Sequence, residues 1–337
     1  MDVLSDVLRV VRLTSAVFFT ARFSSPWSIE SPPPDQLARS LRLRAESIAL
    51  FHVLVEGQCW VSMEGHAPLK LEARDVIIFP HGDPHVISSQ IGARPRPISA
   101  LLPSQPSEEI PQLDYGGGGE ATRFVCGYLH CDQRFNPLIG ALPAMLHVCG
   151  QDGAETGEPS EVETGRGPGV VQVHADGWLA STLLHTIEEA DGMRSGSSAM
   201  LVRLTELLYV EVLRRYMQRL PSGHASWLAG VKDSEVGRAL RLLHARPERQ
   251  WTVENLAREV GVSRSGLAQR FTELVGEAPM RYLTGWRIQL AKHLMLQSGL
   301  PIAEVADRVG YESEAAFNRA FKRHVGDPPV TWRKKSS

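Results

Sequence analysis

The sequence predicts an α+β chain of two domains: a β-barrel with a helical extension, followed by an all-α domain built on two helix-turn-helix units. Three observations carry this. Residues 45–150 hold short β-branched and apolar runs separated by glycine turns. From Asp233 onward, short stretches of helical apolar spacing are punctuated by Gly and Pro and opened by Ser or Thr. One such helix-turn-helix pattern occurs twice.

The first strands are expected at Ile48–Val55, Cys59–Met63 and Asp75–Phe79, with turns at Gly57, Glu64-Gly65 and Gly82-Asp83. Closely spaced strands of this kind suit a sandwich or barrel rather than a parallel sheet. Residues 150–169, rich in Gly, Glu, Pro and Thr, read as a mobile acidic loop. Trp178, Leu179, Leu183, Leu184 and Ile187 mark one helix. Leu201, Leu204, Leu208, Val212, Tyr216 and Leu220 form the apolar stripe of a longer one. That stripe serves either as a homodimer seam or as packing against the β part. Pro221-Ser222-Gly223 then closes a first domain, 1-222, whose segment 177-220 is the candidate for dimerisation.

The N-terminus is apolar, but Asp2, Asp6, Arg9 and Arg12 break it up. Its longest uncharged stretch, Leu13–Ala21, is too short to span a bilayer. Val3, Leu4, Val7, Leu8 and Val11 have the spacing of an amphipathic helix instead. With no export signal read there, Cys59, Cys126, Cys131 and Cys149 are expected to be reduced thiols in a cytoplasmic protein, and no membrane partner is expected.

Hydrophobic residues at 43% and charged residues at 22% describe an ordinary globular chain, and the net charge of -2 conceals an asymmetry. Residues 233–337 carry 17 Lys and Arg against 12 Asp and Glu, whereas residues 1–232 carry 19 against 26. A basic C-terminal part suits a polyanionic partner, yet the excess is too small for a non-specific nucleic-acid coat.

In that part, Val236, Leu240 and Leu243 line a helix ending before Pro247. Thr252 caps a helix from Val253 to Glu259, Gly261 turns the chain, and Ser263 caps a helix running to about Val275. The same grammar returns: Leu256-Ala257…Gly261…Ser263…Leu267…Phe271…Gly276…Pro279 parallels Val305-Ala306…Gly310…Ser313…Phe317…Phe321…Gly326…Pro328. Between the two units, residues 280–296 form a helix of roughly 25 Å. Flanked by the units, it approaches the ~34 Å between successive major-groove faces of B-DNA.

On Ile302-Ala303-Glu304-Val305-Ala306, Gly310-Tyr311-Glu312-Ser313, Phe317, Arg319, Phe321-Lys322, Gly326, Pro328-Pro329 and Trp332-Arg333, residues 231–335 resemble the DNA-binding domain of AraC/XylS-type regulators. Trp332 stands where that family usually has tyrosine. The resemblance implies recognition helices at Ser263–Phe271 and Ser313–Phe321. Their outward residues would be Arg264, Ser265, Ala268 and Gln269 in the first, and Glu314, Ala315, Asn318 and Arg319 in the second. Gln269 and Asn318 suit adenine edges, and Arg319 suits guanine or phosphate. Arg281, Arg287, Lys322, Arg323 and Lys334 suit phosphates.

Phe51-His52-Val53-Leu54-Val55-Glu56-Gly57, the run from Asp75 to His85, and Cys126-Gly127-Tyr128 through Leu142-Pro143 resemble the cupin-type sensor domain of the same regulators. Arg74 replaces a usual glycine, and His52 lacks the second histidine of the first cupin motif. His81, His85, Cys126 and Cys131 would suit a tetrahedral zinc ion were the strands to gather them. Cys126 and Cys131 would equally serve as a redox pair, and the plain alternative is that all four are structural. The expected function is a promoter-binding transcription factor answering a small-molecule, metal or redox signal. Its partners would be double-stranded promoter DNA, a second copy of itself and, for an activator, RNA polymerase. The competing class, a cupin metalloenzyme with a helical appendage, is opposed by the incomplete ligand set and the duplicated motif.

Overall fold

The structure, a computed structural model, describes residues 2–11, 14–40, 47–103, 110–131, 137–150, 170–175, 177–192, 194–220 and 224–336. Two compact units interleave along the chain. One comprises Met1–Arg12, Gln133–Ala141 and Leu220–Ser337; the other comprises Leu13–Asp132 and Leu142–Arg219. This departs from a division at residue 222, because helix α1 (Val3–Val11) belongs to the C-terminal helical unit. Of the apolar face read from the spacing, Val3, Leu4 and Val7 are buried there and Leu8 is half-buried, and Val10, outside that reading, is buried beside them.

The β unit contains β1 (Thr14–Ser24), β2 (Ser28–Ser31), helix α2 (Pro34–Ser40), β3 (Ser47–Glu56), β4 (Gln58–Ser62), β5 (Leu69–Glu72), β6 (Val76–Phe79), β7 (His85–Ser88), β8 (Arg96–Pro97), β9 (Gln112–Gly116), β10 (Ala121–Cys131), β11 (Met145–Cys149) and β12 (Val170–His174). They build a seven-stranded sheet ordered β12-β11-β6-β3-β10-β1-β9 and a five-stranded sheet ordered β5-β4-β7-β2-β8. Phe19, Phe23, Trp27, Leu50, Leu54, Cys59, Phe79 and Phe124 form part of the core of this unit. Residues 48–54 of β3 are buried on both faces, so this strand reads as a nearly unbroken apolar run instead of an alternating one. His52 is the polar exception.

Helices α3 (Gly177–Gly192) and α4 (Ser197–Arg219) pack on one another, and α4 also packs on β1 and β12. The stripe of α4 is thereby used within the chain: Leu201, Leu208, Val212 and Tyr216 are buried, which removes them as a dimer seam. The large apolar side chains left exposed on these helices are Trp178, Leu184, Met200 and Leu207. The acidic loop expected at 150–169 falls, apart from Gly150, outside the described residues.

In the helical unit, α1 packs on α6 (Ser234–Ala245) and α9 (Pro279–Gln297), and α5 (Trp227–Lys232) packs on α6. The first helix-turn-helix is α7 (Val253–Val260) and α8 (Arg264–Val275); the second is α10 (Ile302–Arg308) and α11 (Glu314–Val325), followed by α12 (Pro329–Ser336). The capping is legible in the sequence. Thr252 and Asn255 form a reciprocal capping box, and Ser263 and Ser313 accept from the backbone N–H groups of Gly266 and Ala316. Helix α8 ends at Val275, where the spacing placed its end, and α11 runs to Val325, one turn beyond the recognition segment expected to close at Phe321. The connecting α9, with 19 residues, is about 28 Å long.

Candidate functional site

Ser265, Gln269, Arg264, Glu314, Ala315, Arg319 and Lys322 are all exposed, whereas Ala268 and Asn318 are half-buried. The burial of Leu267, Phe271, Phe317 and Phe321 on the opposite helix faces fixes which side of α8 and α11 looks outward. Arg264 pairs with Glu254 at 2.7 Å, and Gln269 donates to Glu273 at 2.8 Å, so a DNA contact by either would have to replace that partner. Arg319, Lys322 and Arg323 have no ion-pair partner among the described residues. Asn318 buries its Oδ1 without a hydrogen bond, so a paired contact to adenine requires that side chain to turn.

The two readers are held by more than α9. Arg287, in the middle of α9, donates from Nε to the Pro247 carbonyl at 2.7 Å and from Nη2 to the Arg249 carbonyl at 2.9 Å. Its guanidinium carbon lies 5.7 Å from the Tyr311 ring centre. Gln250 donates to the Gly310 carbonyl at 3.1 Å. Gly310 has φ +86°, and a Cβ there would stand 2.6 Å from Glu248 Cα, so only glycine lets the second turn abut the loop before the first reader. Arg287 is therefore a strut between readers, which corrects its assignment as a phosphate contact.

The β unit holds a second constellation. Cross-strand register places Cys126 of β10 opposite His52 of β3, and His85 opens β7 in the other sheet. His52 Nδ1 is 3.0 Å from Cys126 Sγ, His52 Nε2 is 2.9 Å from His85 Nε2, and His85 Nδ1 is 2.8 Å from the Asp83 carbonyl. His85 also stacks on Phe79, with ring centres 3.6 Å apart.

Burial lowers the pKa of His85 to about 4, outweighing the Asp83 carbonyl; burial and His85 lower that of His52 well below the usual value. Both rings are thus neutral, and each carries one proton. The Asp83 carbonyl can only accept, so the proton of His85 is on Nδ1 and its Nε2 is a lone pair. His52 then donates from Nε2, and its Nδ1 accepts from the Cys126 S–H. Burial, reinforced by Cys59, pushes the Cys126 thiol up, in agreement with this donor role. The chain of protons is fixed from a single carbonyl.

This relay lines a cavity of about 50 Å³ whose wall is otherwise mainly apolar, including Phe19, Phe23, Leu50, Ile87, Ile98 and Phe124. Because the two rings titrate near 6.5 when unfolded, the stability gained by keeping them neutral is complete above pH 6.5 and is lost as pH falls towards 4. His85 alone contributes about 3 kcal/mol to that loss. The urea midpoint of the chain should therefore fall clearly between pH 7 and pH 5, and a flat profile would refute neutral burial.

The family model described as Cupin matches residues 2–162 and 168–218, and the one described as Helix-turn-helix domain matches residues 256–335. A putative AraC-like transcription regulator of Streptomyces lividans is 32% identical over 340 residues, which is 99% of this chain and 98% of that one. The chain belongs to the AraC family of transcription regulators. A second putative AraC-like regulator, of Streptomyces antibioticus, is 28% identical over 99% of both chains. The HTH-type transcriptional regulator AlkR of Acinetobacter baylyi is 25% identical over 100% of both. These relatives are named as regulators, not as enzymes, and the architecture is a cupin domain joined to a helix-turn-helix domain that binds DNA. Among the described residues, no helix is long and apolar enough to cross a membrane.

Within this AraC-family regulator, the four residues considered for zinc are not gathered. His85 and Cys126 share the cavity, but His81 meets the Leu142 carbonyl at 3.1 Å. Cys131 lies five residues beyond Cys126 on the same extended strand, about 16 Å away at 3.3 Å per residue. That separation allows neither a shared ion nor a disulfide. Nor does the observed trio fit a metal. Cys126 and His85 engage opposite nitrogens of one ring, so no point lies within coordination distance of all three. His52 is the site residue that sequence reasoning passed over, having noted it only as an incomplete motif. The signal was available: it is the polar residue inside the apolar run of β3.

Proposed function

We propose that this AraC-family regulator binds a small, uncharged, mainly apolar effector in the cupin cavity, and that occupancy adjusts how its two readers engage promoter DNA. The observation that carries the effector class is the neutral His85–His52–Cys126 relay in an otherwise mainly apolar wall. Every ring nitrogen is already committed, and no Lys or Arg among the described residues lines the cavity, so a carboxylate would be desolvated there without compensation. In its present state the cavity admits only a few atoms, and a larger molecule has to displace wall side chains. Differential binding to such a displaced state is what an effector needs to shift an equilibrium.

The chain order supports the coupling. The wall strand β1 follows directly on α1, whose apolar face is docked in the helical unit. The other wall strand, β10, leads on towards residues 137–141, which also belong to that unit. Melting of the full chain with toluene or cyclohexanol, against benzoate or cyclohexanecarboxylate, tests the effector class. Near saturation the neutral pair should raise Tm by about 3 °C and the carboxylates should not. Stabilisation by the carboxylates alone would overturn the reading.

A further inference from the structure

A separate cluster sits on β11 and its neighbours. His147 and Cys149, two residues apart on β11, share a face, and Asp75 comes from the turn between β5 and β6. His147 Nε2 donates to Asp75 Oδ2 at 3.0 Å, and both groups are buried. Asp75 is held in turn by the backbone N–H groups of Glu72 and Gly150, each at 3.0 Å. Gln172 of β12 brings its end amide within 3.4 Å of the far nitrogen of His147; the amide nitrogen donates to a neutral ring, and with the amide turned its oxygen accepts from the N–H of a charged one. Cys149 Sγ lies 3.8 and 3.9 Å from the two ring nitrogens, beside the whole imidazole rather than at the end of one N–H.

We propose that Cys149 is an oxidant-reactive thiol of this chain, activated by the buried Asp75–His147 pair, and that small hydroperoxides convert it reversibly to a sulfenic acid. The attacking form of a cysteine is its thiolate, which a neighbouring positive charge favours. Burial alone would lower the pKa of His147, but the hydrogen bond to Asp75, aided by Cys149, raises it to about 9, so the ring is an imidazolium at neutral pH. The other described cysteines contrast with it. Cys59 and Cys126 are buried, and burial pushes both thiols up, whereas Cys149 is half-buried.

In the reaction, the sulfur attacks one oxygen of hydrogen peroxide, the S–O bond forms and the O–O bond breaks. The departing hydroxide takes a proton from His147 and leaves as water. Sulfur is oxidised by two electrons and the peroxide is reduced; solvent then restores the His147 proton. A thiol returns the sulfenic acid to cysteine by way of a mixed disulfide.

The test uses the full chain. Hydrogen peroxide is added with dimedone, and the adduct is mapped on each cysteine peptide by mass spectrometry. In parallel, iodoacetamide labelling at pH 6.5 is timed for the native and the urea-unfolded chain. Cys149 should carry the dimedone adduct, also in Cys131→Ser, and should be alkylated at least about tenfold faster in the native than in the unfolded chain. His147→Gln should abolish that excess. Should that variant not fold, the native-to-unfolded ratio of the unaltered chain decides. A ratio at or below one, an adduct confined to Cys131, or a folded His147→Gln chain that labels as fast as the parent would each overturn the proposal.

Discussion

Asp75→Ala should destabilise the β unit by about 3–5 kcal/mol at neutral pH, enough to unfold many domains outright. The substitution strips the buried His147 of its counter-charge and leaves the N–H groups of Glu72 and Gly150 without their acceptor. The pH dependence identifies the mechanism. The folded His147 titrates at about 9, above its unfolded value near 6.5. Its contribution is thus complete below pH 6.5 and disappears as pH rises through 9. Denaturant titrations of parent and variant should differ most near neutrality and by less above pH 9, where only the cost of the two N–H groups left without an acceptor remains. A constant difference across that range would mean that the pair is not ionic.

The second large effect belongs to Arg287. Arg287→Ala removes two charge-assisted hydrogen bonds to the Pro247 and Arg249 carbonyls, a loss of about 3 kcal/mol. It also frees the second reader to shift against the first, so operator affinity should drop at least about tenfold. Two comparisons separate a strut from a phosphate contact. Arg287→Lys keeps the charge but cannot span both carbonyls, so it should behave like the alanine variant. The dependence of affinity on salt should stay unchanged, whereas losing a phosphate contact would reduce the log–log slope by about 0.9.

The helical unit was the more legible half of the sequence because local chemistry defines it. Ser263, Ser313, Gly261 and Gly310 perform at their own positions the capping and turning that mark a helix boundary. Position along the chain also announced the repeat. What local signals could not show was a long-range use of a side chain. Arg287 looks like any exposed cation on a helix until the Pro247 loop, forty residues away in sequence, folds against it.

The β unit was less legible for the same reason. Strands β3, β4 and β6 could be read from composition, but β1 was obscured by continuity with an apolar helix. The relay was hidden because Cys126 meets His52 only through the β3–β10 register, and His85 arrives from the other sheet. The pairing of Cys126 with Cys131 failed on strand geometry: two cysteines five residues apart are neighbours around a bend but distant along an extended strand. His147 and Asp75 carried no spacing signal, being joined only by the contact of β11 with β6.

Two rigidly held readers are expected to lie on successive grooves of one duplex, each reading its own bases. Selection of bound DNA from a random pool by the full chain tests it directly, repeated with Gln269→Ala and with Arg319→Ala. Two short conserved blocks are expected about one helical turn, roughly 10 base pairs, apart, with the first variant relaxing one block and the second relaxing the other. A single block, or two variants that relax the same positions, would contradict it.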